Sequence, residues 1–212
     1  MTATEERAQL LHEFAGRIQR HFPTSVWSSL QEGSGTAEFG TATRSVLCVQ
    51  VPEAGPLSPQ AVQTTLSHLA ASYGGCIDPS DDGYAMISFS RPEPGLRMAL
   101  ALQRRTSRAR LRMGLLRGRC NVARGQADGN RFLLLLGRER ARVKALAGGA
   151  APGTVQVCPD LYGVIDDCIA DDDLGSCIAL AEFEGDTVTE VTLTLAPDSS
   201  DELSTFAGLG LT

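Results

Sequence analysis

The sequence has no long apolar run, few aromatic residues and no export signal. Crossing a bilayer takes roughly 20 consecutive apolar residues, and the most apolar run here, Phe132 to Leu136, is only as long as a strand. The N-terminus, MTATEERAQLL, carries charges of both signs and lacks the basic-then-apolar order of a signal peptide. We therefore expect a cytoplasmic protein without a membrane span.

Metal-binding motifs are also absent from the sequence. The six cysteines include no CxxC pair, and the three histidines lack the spacing of metal ligands or of a catalytic triad. This pattern excludes the common zinc motifs, and we expect no cofactor. Cys48, Cys120 and Cys158 lie in apolar, strand-like surroundings and are interpreted as small buried hydrophobes.

The charge that is present is segregated along the chain. The formal net charge is −6, yet thirteen of the nineteen Lys and Arg lie between Arg104 and Lys144, and the thirteen Asp and Glu after Lys144 have no basic residue among them. Two interpretations stay open: an anion-binding or charge-paired face, or a solvated basic face balanced by an acidic C-terminal segment. Nucleic acid is not an expected partner, because the overall charge is negative and the basic region has almost no aromatic residues.

Apolar spacing and turn residues divide the 212 residues into helices and strands within one expected domain. A capping box of Thr2 with Glu5 starts a helix that Pro23 stops, and a Ser58-Pro59 start and a Gly74 end define another. The predicted helices cover residues 2–22, 25–30, 58–73, 92–108, 137–146 and 159–165. The predicted strands cover residues 45–51, 76–77, 84–90, 111–117, 120–123, 132–136, 155–158, 176–182 and 187–195, with 33–43 as a loop and 81–83 as a hairpin turn.

The order of these elements is β-α-β-β-α-β, followed by further helix and strand. It predicts an α+β fold with a ferredoxin-like core, an added C-terminal helix and added strands. The predicted sheet is rich in antiparallel pairs and has its helices on one face.

Read with its local motifs, this order resembles the class III adenylate/guanylate cyclase catalytic domain, from about His21 to Leu195. HFPTSVWSSL is similar to the segment before that domain, SVLCVQV to its first strand, VLFADI, and DDGYAMIS to its GDG hairpin. LRMGLLRG is similar to VRIGIHTG, and LGRERARVKAL followed by APGTVQVC is similar to LGDxVNxAxRL followed by EPGxIxVS. The resemblance implies an N-terminal helix and pre-domain segment at 1–43, a cyclase homology domain at 44–196 and a loosely ordered tail at 197–212.

The resemblance also implies a site in which two carboxylates hold two magnesium ions for attack by the ribose 3′-hydroxyl. The first carboxylate falls on Gln50, whose neutral amide cannot supply the charge. The second falls on Asp82, which is retained. One carboxylate does not make the paired site, so no metal is expected and Asp82 is interpreted as vestigial, with a role in the hairpin turn.

The nucleotide-reading positions implied by the resemblance differ too. The base-recognising Lys falls on Asp78 and the base-recognising Asp falls on Arg138, so both charges are reversed. The transition-state Asn and Arg fall on Ala141 and Ala145, four residues apart on one helix face. Losing one such contact typically lowers the rate by on the order of a hundredfold, so the resemblance implies a pseudoenzyme.

Two functions follow as hypotheses, with an active cyclase a distant third. The first is a catalytically inactive cyclase homology domain that acts as a regulatory dimerisation or protein-interaction module in signal transduction, as a homodimer or with a partner signalling protein. The second is a nucleotide or anion sensor that uses the degenerate pocket and nearby arginines, among them Arg117 and Arg119. The candidate interface or anion-binding residues are Arg138, Ala141, Arg142 and Ala145.

Overall fold

A single mixed β-sheet organises the protein. The computed structural model describes residue 19 and residues 22–51, 58–78, 83–106, 109–127, 129–164, 177–184 and 187–193. The strands are β1 Thr36–Gln50, β2 Cys76–Asp78, β3 Tyr84–Phe89, β4 Arg112–Ala127, β5 Asn130–Leu136, β6 Thr154–Val157, β7 Cys177–Glu184 and β8 Thr187–Leu193. The α-helices are α1 Thr24–Gln31, α2 Pro59–Tyr73, α3 Pro92–Arg105 and α4 Arg138–Gly149, and a 3-10 turn covers Pro159–Leu161.

The strand order confirms the predicted core. The strands run β2-β3-β1-β4-β6-β7-β8 across the sheet, and β5 pairs with the second half of β4. The first four of these, with α2 and α3 as connections, form the βαββαβ unit, in which β1 is antiparallel to both β3 and β4. The added strands β6 and β7 continue in parallel from β4, and β8 returns antiparallel.

Helices cover both faces of the sheet, because neighbouring residues of β4 meet different helices. A Cβ built on Gly114 would lie 2.6 Å from the backbone nitrogen of Ala147 in α4. A Cβ on Gly95 of α3 would lie 3.2 Å from Cδ1 of Leu115. Since successive residues of a strand point to opposite faces, α3 lies on one face and α4 on the other. The expectation of helices on one face therefore holds for the core helices, and α4 is the exception.

Helix α2 has the ends that its sequence predicts. The backbone N–H of Ala61 donates to Oγ of Ser58 at 3.2 Å, which satisfies one of the free donors of the first turn. Pro59 occupies the first helical position, where no N–H is needed. Gly74 ends the helix with a φ of 68°, a left-handed conformation that glycine adopts without strain.

The predicted loop at residues 33–43 is wrong beyond its first three residues. Strand β1 begins at Thr36 and pairs with β4 residue for residue as far as Gln126. Likewise β4 is one continuous strand, whereas the sequence predicts two strands at 111–117 and 120–123. Long-range pairing between these two strands outweighs the turn preference of the local glycines.

The extension of β1, β4 and β5 forms an arm with a small apolar cluster of its own. Helix α1 packs against it through Val26, and the ring of Phe22 contacts that of Phe132 in an edge-on geometry at 6.2 Å. Ala123 and Leu134 are buried in the same cluster. The spacing of apolar residues in the sequence does not predict this cluster, because its members come from three separate segments of the chain.

Helix α3 also differs from its prediction at Gln103, which breaks the apolar pattern. This side chain is buried, and its Nε2 donates to the carbonyl of Gly153 at 2.7 Å. The predicted helix at 2–22, apart from Gln19 and Phe22, lies outside the described residues, as do the turn residues Asp81 and Asp82 and the tail at 197–212. None of the helices in the described ranges combines the length and apolar character that crossing a bilayer requires.

The packing of α4 on Gly114 gives a first prediction. We expect Gly114→Ala to lower the free energy of unfolding by about 1–3 kcal/mol, because the added methyl group meets the backbone of α4. Gly40→Ala is the matched control, since a Cβ there has no atom within 4 Å, and it should change stability by less than about 0.5 kcal/mol. Urea denaturation measures both. Equal effects would contradict the close approach of α4 to β4.

Candidate functional site

Gln50 stands where the ends of three strands meet. It is the last residue of β1 and pairs with Tyr84 of β3 on one side and Arg112 of β4 on the other. The next residue, Val51, donates its N–H to the carbonyl of Gly83 at 3.1 Å. Asp82 lies outside the described residues. The residue after it, Gly83, is hydrogen-bonded to Val51, the residue after Gln50.

The surroundings of Gln50 do not fit a magnesium pair. Its Oε1 is buried and has no hydrogen-bond partner in the described part of the chain. A single neutral oxygen offers neither the charge nor the number of ligands that magnesium takes from carboxylates. Among the described residues, no three His, Cys, Asp or Glu side chains come together as a metal site.

Asp78 is the most buried ionised group near this point, with its side chain only 1% exposed. Its Oδ2 accepts the backbone N–H of Leu135 at 2.9 Å and Nη1 of Arg140 at 2.8 Å. The same guanidinium nitrogen also donates to the carbonyl of Leu135 at 3.2 Å. One carboxylate therefore joins β2, β5 and the first turn of α4.

This contact was not predicted from the sequence. The resemblance assigns the reversed charge of the helix to Arg138, whereas Arg140 provides the partner of Asp78. Charge alone could not choose among Arg138, Arg140 and Arg142. The sequence does contain one relevant signal: Arg140 and Lys144 are four residues apart, and residues with this spacing lie on the same side of a helix. Nζ of Lys144 lies 5.3 Å from the ring centre of Tyr84 in β3, so the side chains of Arg140 and Lys144 point to the same side of α4, toward β2 and β3.

The outer face of α4, away from Gly114, carries three of the other candidate residues. Arg138, Ala141 and Ala145 are exposed and share one helix face. Arg142 is partly buried, and its Nη1 donates to Oε2 of Glu139 at 3.1 Å. The structure thus brings the alanines and Arg138 together on a surface that faces away from Gly114.

Arg117 and Arg119 do not join that surface. Both residues are exposed and alternate with Gly118 on β4, so they point to the face that Leu115 shares with α3. Nη2 of Arg119 donates to Oγ1 of Thr41 at 3.2 Å. A single anion pocket made from these arginines and those of α4 is therefore not formed in the sheet.

Two clefts open near the ends of the central strands. The larger, of about 670 Å³, is lined by residues that include Val51, Asp78, Gly83 and Tyr84. The smaller, of about 310 Å³, is lined by Gln50, Ala109, Arg110, Leu111 and Arg112. Backbone carbonyls position both of its arginines: Pro152 accepts from Arg110 at 3.3 Å, and Gly148 accepts from Arg112 at 3.2 Å.

No cysteine is among the described residues that line these two clefts. Cys48, Cys120 and Cys158 are buried, which confirms their interpretation as small buried hydrophobes. Burial, together with the nearby Glu139 carboxylate, raises the pKa of the Cys120 thiol to about 11. Burial also raises the pKa of Cys158. These thiols stay protonated at neutral pH, and a protonated thiol is a poor nucleophile.

The buried contact at Asp78 predicts a large loss of stability when it is broken. Asp78→Asn removes the carboxylate charge from the buried contact with Arg140, and we expect a cost of about 3–5 kcal/mol. Glu38→Gln is the control, because the Glu38–Arg124 pair at 3.0 Å is 73% and 71% exposed and should contribute less than about 1 kcal/mol. Chemical denaturation compares the two variants. Similar small losses would show that Asp78 is not buried as described.

Comparison with known proteins identifies the architecture. No protein-family model and no curated protein matches the chain. Among solved structures, the adenylyl cyclase CyaB from P. aeruginosa superposes with a TM-score of 0.53 at 18% identity, covering 77% of this chain and 100% of that one. The catalytic core of a rhodopsin-guanylyl cyclase with converted specificity superposes with a TM-score of 0.52 at 12% identity, covering 74% and 96%. The described part of the chain therefore has the fold of a class III adenylyl/guanylyl cyclase catalytic domain.

Proposed function

We propose that this chain is a cyclase-fold domain without cyclase activity that works as a regulatory dimerisation or protein-interaction module. The observation that carries the proposal is the buried contact of Asp78 with Arg140 and Leu135. The resemblance puts the base-reading Lys at the position of Asp78. A purine edge would meet a carboxylate there in place of a donor, and that carboxylate is already bonded within its own chain.

The other positions of the expected site support the same conclusion. Gln50 offers a neutral amide where a metal-binding carboxylate is expected. Ala141 and Ala145 offer methyl groups where an amide and a guanidinium would stabilise the transition state. Preorganised polar groups usually provide the largest part of enzymatic rate enhancement. A chain that lacks them at three positions is not expected to catalyse cyclisation, alone or with a second copy of itself.

The outer face of α4 supports the second part of the proposal, which is that the domain dimerises or binds a protein partner. Ala141 and Ala145 are exposed on a helix whose inner residues Val143, Leu146 and Ala147 are fully buried. Small side chains allow a neighbouring helix or strand to approach closely, and Arg138 lies at one end of the patch. Charges at the rim of an interface mainly adjust association rate and salt dependence, whereas packing at its centre decides affinity.

An anion sensor is a second candidate, and the smaller cleft favours it. Arg110 and Arg112 both line this cleft, and each has one guanidinium nitrogen held by a backbone carbonyl. Held arginines suit bidentate contacts to phosphate or carboxylate. Arg110 also has a φ of 48°, a strained conformation for a residue with a side chain. A native protein that stays monomeric at every concentration tested would favour this candidate over association.

The proposal predicts inactivity. Purified protein incubated with ATP or GTP and either Mg²⁺ or Mn²⁺ should form no cyclic nucleotide above a control without protein, because the polar groups of the transition state are missing. Chromatographic quantification of cyclic AMP and cyclic GMP measures this. Product that forms with the native chain and disappears with Asp82→Ala would overturn the proposal, since it would show that the retained carboxylate works.

The proposal also predicts a steric effect at the outer face of α4. Ala141→Trp should abolish the dimer or the partner complex while leaving the monomer folded, because the indole protrudes from an exposed position. Ala71→Trp is the matched control, as Ala71 is an exposed alanine on α2, and it should leave association unchanged. Light scattering reports the mass and circular dichroism the fold. Equal association of both variants would rule out this face.

A further inference from the structure

The first half of β1 forms an open edge of the sheet. Strand β3 pairs with β1 only from Ser45 to Gln50, whereas β4 pairs with it from Thr36 onward. On the side of β1 away from β4, residues 36–44 therefore have no neighbouring strand in the part of the chain that the structure describes. This segment contains no proline, and its one-to-one register with β4 shows no bulge. Proteins usually protect such an edge, because its unpaired backbone groups can bind another strand.

The unpaired backbone groups of this edge belong to the odd-numbered residues. The N–H of Val51 donates to the carbonyl of Gly83, just before β3, so the backbone groups of the odd residues point to the β3 side. In an antiparallel strand these groups alternate in direction from one residue to the next, and the pairing of β1 is uninterrupted. The N–H and C=O groups of Ala37, Phe39 and Thr41 therefore point outward beyond the end of β3, while those of the even residues point to β4.

The same edge carries an exposed aromatic side chain. Phe39 is 59% exposed, and no other large apolar residue in the described ranges is exposed to this degree. Its ring meets that of Phe22 edge-on at 6.2 Å, so it extends the apolar cluster of the arm to the surface. Aromatic residues are enriched in protein–protein interfaces. The edge thus combines free backbone hydrogen-bonding groups with an apolar contact.

The ends of the strands limit how a second copy of the chain can pair with this edge. Two copies related by a two-fold axis pair antiparallel, with side chains of the same sheet face opposite each other. The second copy's Thr36 can lie no further along β1 than Arg44, because Phe89 of β3 already occupies the position opposite Ser45. The axis therefore passes through Gly40 or through an earlier residue.

Side-chain chemistry selects one position of the axis. An axis before Glu38 leaves only a few residues to pair, and an axis at Glu38 opposes two carboxylates, which is unfavourable. An axis at Gly40 sets each Phe39 ring against Thr41. An axis at Phe39 sets the two rings against each other, and aromatic pairs are favourable beyond the area that they bury. It also places Glu38 opposite Gly40, where a Cβ would have no atom within 4 Å.

We propose that two copies of the chain pair antiparallel through residues 36–42 of β1, with the two-fold axis at Phe39. Ala37 of each copy faces Thr41 of the other. The backbone groups of residues 37, 39 and 41 form about six hydrogen bonds across the axis, and the two sheets become continuous. This dimer uses a different element from the outer face of α4, so it does not rest on the proposed function.

A charge at the axis tests the pairing. Phe39→Lys removes the aromatic pair and opposes two ammonium groups, and the dissociation constant of the dimer should rise at least about a hundredfold. Gln63→Lys adds the same charge at an exposed position of α2 and should leave the constant unchanged. Sedimentation velocity measures both variants, and circular dichroism reports their fold. A native chain that is monomeric at every concentration, or equal constants for the two variants, overturns the pairing.

Hydrogen exchange of single amides tests the pairing in the native chain. The N–H groups of residues 37, 39 and 41 should exchange slowly only at concentrations where the dimer forms. The N–H groups of residues 38 and 40 point to β4, so their exchange should not depend on concentration, and they serve as the internal control. Nuclear magnetic resonance resolves the individual amides. Slow exchange of the odd residues at every concentration would show that the chain itself covers this edge, and would overturn the pairing with a second copy.

Disulfide trapping tests the register. In Phe39→Cys the two new thiols lie opposite each other, at the Cα separation of about 5.5 Å that a disulfide spans. A mild oxidant should therefore link two chains of this variant. Gly40→Cys is the control, because the axis at Phe39 places its two thiols out of reach, and the native chain gives the background from its own cysteines. A link through Gly40→Cys with none through Phe39→Cys overturns the axis at Phe39.

The edge pairing and the association proposed for α4 fail in distinguishable ways. If Phe39→Lys is monomeric and Ala141→Trp keeps the native mass, the edge pairing is supported and self-association through α4 is overturned. If Ala141→Trp is monomeric and Phe39→Lys keeps the native mass, the edge pairing is overturned and the association through α4 is supported. A lower mass for each variant alone supports both surfaces.

Discussion

The buried carboxylate of Asp78 constrains the geometry of the whole site. An ionised group that is almost fully buried has to be compensated by a counter-charge and by hydrogen bonds, and Asp78 obtains both from Arg140 and Leu135. In the strand order, β2 forms one edge of the sheet and β5 pairs beyond β4. A hydrogen bond between Asp78 and Leu135 therefore requires the sheet to curl until β5 returns over β2.

This curl fixes how α4 is presented. The helix follows β5 directly, and Arg140 in its first turn is held by the same carboxylate, so its rotation about its own axis is set. Val143, Leu146 and Ala147 then face the sheet, where Gly114 permits the close approach. Ala141 and Ala145 are left on the outside. The positions where the resemblance expects transition-state groups are thus separate from those that hold the fold together.

Local chemistry made much of the fold predictable. The Ser58 and Gly74 ends of α2 and the position of Gly137 before α4 depend on residues within a few positions, and each matches the structure. The extension of β1 back to Thr36 depends on pairing with residues about eighty positions away, which no local pattern reveals. Arg140 was missed for a related reason, since only the returning strand β5 shows which arginine of α4 meets Asp78.

The basic stretch of the sequence does not form one charged surface, and its geometry explains why. Arg140 is paired with Asp78, Arg142 with Glu139 and Arg124 with Glu38. Strand alternation sends Arg117 and Arg119 to the face opposite α4. The basic residues that are close together in the sequence therefore lie on different faces of the folded protein. Two pairs of these arginines lie near each other: Arg110 with Arg112 in the smaller cleft, and Arg138 with Arg142 on α4. Arg117 and Arg119 of β4 therefore cannot act together with the arginines of α4 on one anion, because the sheet lies between them.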